Sequence, residues 1–223
     1  MPFKCYIFEE LSEGDSNLIV LPQFIFEEDV GTYKEFRRLC TAQKICSDPL
    51  KKEFILTTYT SANPVPRLMP SEFIVRIVEK LNKVSYARVK LLVYGNVFRK
   101  INSDCVVYKG VVPRAEFLAG VASSDLYIER NLDEELGFST LEAGLLGVPI
   151  AKVTLPSRTG YFDVPEDAII NVSSIRGLFR EISRFIVSCE KCRSEYASNF
   201  LDYLLQNRMW SNVKYELLNS FRK

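Results

Sequence analysis

The sequence predicts an α/β protein in which a mainly parallel sheet is flanked by helices, with a short N-terminal extension and a helical C-terminal part. Three observations carry this. Between residues 53 and 153, short β-branched or aromatic runs alternate with stretches whose apolar residues recur at helical spacing. Two of the strand-like runs end at or just before a glycine, Gly95 and Gly110, where the chain turns toward the next element. Apolar residues make up 47% of the chain and charged ones 26%, the balance of an ordinary globular protein with a substantial core.

The elements follow in order. Residues 1–50 hold strand-like runs at Cys5–Phe8 and Leu18–Leu21, then a charged segment, Thr32–Lys44, with Phe36, Leu39 and Ala42 at helical spacing. This zone ends at the turn-like Ser47-Asp48-Pro49 and is expected to be a reduced segment that packs on a main domain of residues 51–223. In that domain Glu53–Thr60 is a strand, and Ser71–Val84, with apolar residues at 73, 74, 77, 78 and 81, is an amphipathic helix. Val89–Tyr94 is a buried strand closed by Gly95-Asn96, and Cys105–Tyr108 a short strand before Gly110. A helix near Arg114–Ala122, a strand at Asp125–Ile128, a helix at Ser139–Leu146 and a strand at Val148–Val153 continue the alternation. Repeated βαβ units imply right-handed crossovers and a Rossmann-like sheet. From about Ser173 the pattern is helical, with Leu178, Phe179, Ile182, Phe185 and Ile186 on one face and a second long pattern from Tyr196 to Phe221 that contains Trp210.

Composition narrows the chemistry. The formal net charge is +1, which gives no global attraction to nucleic acid or anionic lipid, so any anion site must be local. No apolar run approaches the ~20 residues of a spanning helix. Met1–Glu10 turns acidic where a signal peptide stays apolar, and a cytoplasmic protein is expected. Histidine is absent, which excludes Ser-His-Asp and His-metal chemistry. Of the six cysteines, only Cys189 and Cys192 have the spacing of a redox or zinc half-site, and a second pair to complete a zinc site is lacking. Two readings of the pair stand: thiols on consecutive helical turns, or a disulfide.

Ligands of open parallel sheets bind beyond the carboxyl ends of the strands, where helix N-termini present N–H groups. The loop after the strand at 125–128 runs from Glu129 to Gly137 and leads straight into a helix. Gly137 allows close backbone approach, and the helix dipole favours a phosphate. Acidic residues at 133, 134 and 135 repel a bare phosphate but accept hydrogen bonds from sugar hydroxyls. Glu142, one turn into the helix, is placed to accept the two hydroxyls of a ribose; acidic residues in such a position also serve simply to complement the dipole.

The unbroken stretch Asp125-Leu-Tyr-Ile-Glu-Arg-Asn-Leu-Asp-Glu-Glu-Leu-Gly-Phe-Ser-Thr-Leu-Glu-Ala-Gly-Leu-Leu-Gly-Val-Pro-Ile-Ala151 resembles the signature of family 4 retaining glycosyltransferases of the GT-B fold. In that signature an Ala-Asp-hydrophobic strand precedes Pro-Ser, Glu-Gly-Phe-Gly and Glu-Ala-Met-Ala-x-Gly-x-Pro-Val. Glu134 and Glu142 fall at the two glutamates of the E-x7-E motif, and Gly147-Val148-Pro149 at Gly-x-Pro. The resemblance implies that the chain is a single GT-B half that binds a nucleotide-diphosphate sugar without a metal or other cofactor. It assigns donor-sugar contact and stabilisation of the anomeric charge to Glu134, and ribose binding to Glu142. The amides of Gly137, Phe138, Ser139 and Thr140 would face the diphosphate. Upstream, Val106–Val112 is similar to the strand and turn that meet the base, which places Gly110 and Val111 there.

The departures also carry expectations. The family's Arg and Lys after its first strand are replaced by a proline-rich loop with only Arg67, and Pro-Ser by Arg130-Asn131. Arg130 either supplies the missing positive charge or is a surface arginine. About 50 residues before Glu53 cannot form the acceptor-binding half, for which a domain of ~100–200 residues is usual. The resemblance thus implies a stripped-down enzyme, or the donor subunit of a split one completed by another chain or a second copy. A non-catalytic recognition or assembly module is the rival. A sugar-nucleotide epimerase shares the missing half and would also lack a histidine.

Overall fold

The computed structural model describes residues 24–45, 53–60, 68–132, 136–155 and 164–220, and side chains within them except at 39–45 and 216–220. The strand-like runs expected at Cys5–Phe8 and Leu18–Leu21 lie outside the described residues. So do Ser47-Asp48-Pro49, Arg67 and Glu134. The elements are α1 (Glu27–Ile45), β1 (Glu53–Thr60), α2 (Ser71–Val84), β2 (Arg88–Gly95), β3 (Val106–Gly110), α3 (Arg114–Ala122) and β4 (Leu126–Glu129). After them come α4 (Phe138–Leu145), β5 (Ile150–Val153), β6 (Ile170–Val172), α5 (Ile175–Val187), α6 (Glu190–Asn207) and α7 (Trp210–Ser220).

The described strands form one sheet in the order β3-β2-β1-β4-β5-β6, with every pair parallel. Helices on both faces of a parallel sheet bury both sides of its inner strands, while β3 at the edge is half-buried and β2 alternates over its first half. β4 and β5 are buried at all of their positions. On one face Leu56, Leu91, Val93, Leu126 and Ile128 pack against Ile74, Val78 and Leu81 of α2 and Leu178, Ile182 and Phe185 of α5. On the other, Tyr94, Tyr127 and Ile150 meet Leu118 of α3, Leu141 of α4 and Phe200 and Leu204 of α6. Gly144 sets the α4–α6 distance, because a Cβ there would lie 2.4 Å from the Phe200 ring.

Polar groups set the register where the two halves of the sheet meet. Asp125 accepts the Ile55 N–H at 2.8 Å and its own N–H donates to Ile55 O at 2.8 Å, which clips the start of β4 to β1. Higher up, the Thr58 hydroxyl donates to Ile128 O at 2.9 Å. The threonines of the central strand are thus satisfied internally, as buried polar groups must be.

Three features differ from the sequence expectation. β6 is a strand of three residues that pairs with β5 at the sheet edge, too short to carry a periodic pattern. The expected single helical pattern from Tyr196 to Phe221 is two helices. The break falls at Met209, where Ile25 donates to Arg208 O and accepts from the Trp210 N–H, both at 2.8 Å, taking backbone groups that a continuous helix would use itself. Helix α1 begins at Glu27, before the expected Thr32, and packs on α3 and α4. Among the described residues no helix is long and apolar enough to cross a membrane.

Candidate functional site

The order of the sheet reverses between β1 and β4: from β1 the chain adds β2 and β3 on one side, and from β4 it adds β5 and β6 on the other. The region beyond the carboxyl ends of these two strands is the usual ligand position in such sheets. Thr60 ends β1 there, Glu129 ends β4, and α4 begins nearby.

Arg130 joins the two loops. It is only 8% exposed, and its Nε donates to Met69 O at 2.7 Å while its Nη1 donates to the Thr60 hydroxyl. The Met69 N–H returns a bond to Arg130 O at 2.7 Å. Arg130 is therefore not a surface arginine; its guanidinium fastens the end of β1 and Met69 to the residue that follows β4. Burial lowers its pKa from the ordinary value, with Tyr127, Glu129 and Glu72 acting in the opposite direction.

Glu129, at the last position of β4, reaches the N-terminus of α4. Its carboxylate accepts the N–H groups of Asn131 at 2.7 Å and Gly137 at 2.9 Å and the hydroxyl of Thr140. An internal carboxylate thus holds the electropositive helix end. Gly137 has an extended backbone, φ −72°, and a Cβ there would sit 3.0 Å from Glu129 Oε2, so its small size serves this contact. Of the four residues whose amides were expected to face a diphosphate, Gly137 gives its N–H to Glu129 and Thr140 gives its own to Gly137 O at 2.9 Å. The Ser139 hydroxyl accepts from Tyr127 at 2.7 Å, and Phe138 packs against the core. Tyr127 has a raised pKa, from burial first and the Glu129 charge second, and stays a neutral donor. Lys152 is fully buried on β5, in register with Glu129, and its Nζ donates to Asn131 O.

Glu142 lies on α4 in a second polar cluster. Its Oε1 stands 2.8 Å from Arg114 Nη2 and accepts the Tyr33 hydroxyl at 3.1 Å. Arg114 also donates to the Tyr33 oxygen. The Glu142 side chain is 12% exposed and that of Arg114 41%. Burial raises the Glu142 pKa above the ordinary carboxylate value, against the pull of Arg114 and the Tyr33 hydrogen bond. For Arg114 burial acts downward, but the Glu142 charge and Tyr33 outweigh it and the pKa is raised. A cation in the first position of a helix opposes the macrodipole, so Arg114 at the start of α3 is held there by a specific partner.

Gly110 ends β3 with φ +70° and open space at its Cβ position, and Val111, next in the turn, is 70% exposed. Both stand on the β3 loop that enters α3 and Arg114. Gly137 and Thr140 thus meet at Glu129, the neighbour of Arg130 in the chain, and Glu142 meets Arg114 and Tyr33, whereas Gly110 and Val111 are joined to that second cluster only by the short segment that leads to Arg114. Sequence reasoning missed Glu129, Lys152, Arg114 and Tyr33. A signal existed for two of them: a charged residue inside the buried strand Ile150-Ala-Lys-Val153, and an acid at the end of the apolar strand Leu126–Glu129.

In sequence, no family model and no curated protein matches the chain. Solved structures match its fold. The N-terminal domain of trehalose-6-phosphate phosphatase from Candida albicans aligns with a TM-score of 0.66 at 17% identity, covering 94% of this chain and 51% of that one. HepE from Anabaena, in complex with UDP and glucose, gives 0.59 at 14% identity over 87% of this chain and 55% of its own. WaaG, a glycosyltransferase involved in lipopolysaccharide biosynthesis, gives 0.58 at 18% identity over 88% and 54%. The chain spans about half the length of these structures. Its fold is the Rossmann-like α/β half of a GT-B-type glycosyltransferase.

Proposed function

We propose that this domain binds a nucleotide-diphosphate sugar at the carboxyl ends of β1 and β4 and serves retaining, metal-independent glycosyl transfer, with the acceptor face supplied by another chain or a second copy. The observation that carries the proposal is the Glu142 carboxylate, held next to a guanidinium beside the Gly110 turn. A carboxylate has acceptor sites for two vicinal hydroxyls, and an adjacent arginine suits a phosphate, so the pair matches a ribose and its phosphate. Arg114 is in this reading a cation beside the phosphate, with Arg67 of the loop after β1 and Arg130 as further candidates. The GT-B-type fold supports the reading, as does the UDP and glucose bound by the similarly folded HepE. Glu134, on the loop between Glu129 and Gly137, is proposed to contact the donor sugar and stabilise charge at the anomeric carbon.

Calorimetry with UDP-, GDP- and ADP-sugars on the wild type and Glu142→Ala tests the site. Binding that Glu142→Ala weakens at least tenfold is expected; no binding of any nucleotide sugar sinks the proposal. Donor hydrolysis or transfer that Glu134→Ala abolishes while binding survives distinguishes an enzyme from a binding module.

The non-catalytic module is the second reading, and one observation favours it. Glu142 already has protein partners in Arg114 and Tyr33, and Gly137 and Thr140 have theirs in Glu129 and the Gly137 carbonyl. Under that reading the same calorimetry gives weak nucleotide binding or none, and no turnover.

A further inference from the structure

The corner between α5 and α6 holds two thiols that the proposed donor site does not use. Helix α5 ends at Val187, Ser188 caps it, and Cys189 is the N-cap of α6 with extended backbone angles, φ −68° and ψ 155°. Cys189 therefore stands just outside the helix while Cys192 lies in its first turn. The Cys189 Sγ accepts the Cys192 N–H at 3.3 Å, and the two sulfurs are 2.7 Å apart. Two thiols on consecutive turns of a regular helix have Cβ atoms ~5–6 Å apart and do not meet this way unless their side chains converge. The N-cap position makes them converge here.

The surroundings favour exchange chemistry. Both cysteines are exposed, whereas Cys105 is half-buried. The first thiol sits at the positive end of an 18-residue helix, which favours a thiolate. The two thiols are pushed in opposite directions: hydrogen bonding from Cys192 lowers the Cys189 pKa, and the same contact raises that of Cys192. This asymmetry suits one attacking and one resolving sulfur. The corner is braced by Arg193, whose Nη1 donates to Ser188 O at 3.0 Å and Ile186 O at 3.3 Å, so the thiols are held by a fixed backbone. Among the described residues no third Cys, Asp or Glu joins them in a cluster that could hold a metal.

We propose that Cys189 and Cys192 form a redox-active pair that exchanges reversibly with a low-molecular-weight disulfide of the glutathione type. The Cys189 thiolate attacks one sulfur of the disulfide, expels the first thiolate and leaves a mixed disulfide. Cys192 then loses its proton, attacks the Cys189 sulfur and expels the second thiolate. In sum, two protein thiols and one small disulfide become one internal disulfide and two small thiols. Two electrons pass from the protein to the small disulfide.

The corner is at the opposite end of the sheet from the proposed donor site: Arg193 lies 5.9 Å over the ring of Phe54, at the start of β1, while Thr60 at its other end meets Arg130. The pair is thus independent of the donor-site proposal, and the test separates them. The whole protein is equilibrated with reduced and oxidised glutathione over a range of ratios, then examined by intact mass and by maleimide labelling of free thiols. At oxidising ratios the wild type is expected to lose two labelled thiols together and two hydrogens in mass, with a tenfold change in equilibrium per ~30 mV, as a two-electron couple requires. Cys192→Ser stops at a mixed disulfide with one glutathione, and Cys189→Ser forms no internal disulfide. Nucleotide-sugar binding is the same in both redox forms. A wild type that stays reduced, that carries glutathione on each cysteine instead of an internal bond, or whose internal disulfide survives in Cys189→Ser overturns the proposal.

Discussion

Arg114, the first residue of α3, and Glu142, in the second turn of α4, form an ion pair at 2.8 Å that the Tyr33 hydroxyl of α1 completes from a third helix. Removing the guanidinium leaves a carboxylate of low exposure with a single hydrogen bond. Arg114→Met is therefore expected to cost ~1–2 kcal/mol, below the figure for a fully buried pair because Arg114 is partly solvated. Tyr33→Phe costs ~1 kcal/mol. Urea denaturation of both single variants and the double variant measures this; strictly additive losses would show that the three groups do not act as a unit.

The same cluster gives stability a pH signature. Burial raises the Glu142 pKa above its unfolded value, so between the two values the folded state holds a proton that the unfolded state has released. The contribution of Glu142 is then fully present below the ordinary carboxyl pKa and is lost as pH rises through the raised one. Relative to Glu142→Gln, which does not titrate, the wild type loses stability across that window and runs level on either side. Denaturation midpoints at closely spaced pH values measure the difference, and a wild type that gains stability relative to Glu142→Gln as pH rises across the window would contradict the assignment.

Glu129→Ala removes the acceptor of three hydrogen bonds and a negative charge at the N-terminus of α4. A loss of ~2–4 kcal/mol is expected, since bonds to charged groups are worth more than neutral ones and their losses do not add fully. Glu129→Gln keeps one oxygen acceptor and loses about half as much. Amide exchange at Asn131 and Gly137 accelerates in step with the stability loss. Unchanged exchange at these two amides would show that Glu129 does not hold the loop.

Gly95 and Gly110 offer a matched pair of substitutions. Both have positive φ, +84° and +70°, where an added Cβ costs ~1–2 kcal/mol. At Gly110 that Cβ meets nothing within 4 Å, whereas at Gly95 it lies 2.0 Å from the Thr60 carbonyl oxygen, which is backbone and cannot swing away. Gly110→Ala should lower stability by ~1–2 kcal/mol, and Gly95→Ala by ~3 kcal/mol or more because the ends of β1 and β2 must part. Thermal melts compare them directly. Equal losses would mean that backbone conformation alone accounts for Gly95.

The regular core was legible because its signals are local. β1 and β2 announce themselves through β-branched and apolar runs, α2 and α5 through apolar residues at helical spacing, and the succession of the two patterns fixes a parallel sheet. What was not legible depends on partners far along the chain. Tyr33 reaches Glu142 across 109 residues, and nothing near either residue signals the pairing. Arg130 was recognised as a cation, but its burial depends on partners at Met69 and Thr60, 61 and 70 residues away. The helix break at Met209 arises from the backbone of Ile25 rather than from a glycine or proline. Cys189 and Cys192 were recognisable as a pair, but their meeting depends on the helix starting one residue after Cys189.

Helix α1 imposes an order on synthesis. It precedes β1 in the chain, yet its contacts are with α3 and α4 and with the α6–α7 junction, where the Ser211 N–H donates to Glu27 at 2.8 Å across 184 residues. At ~5–20 residues per second, that interval corresponds to roughly 10–40 s of translation during which the final partner of α1 does not yet exist. The sheet from β1 to β5 can assemble in that time, with α1 already able to lie on α3 and α4. Tyr33, Arg114 and Glu142 are all present once α4 has been made, so the cluster around Glu142 can form first, whereas the clip between Glu27 and Ser211 waits until almost all of the described chain has been made.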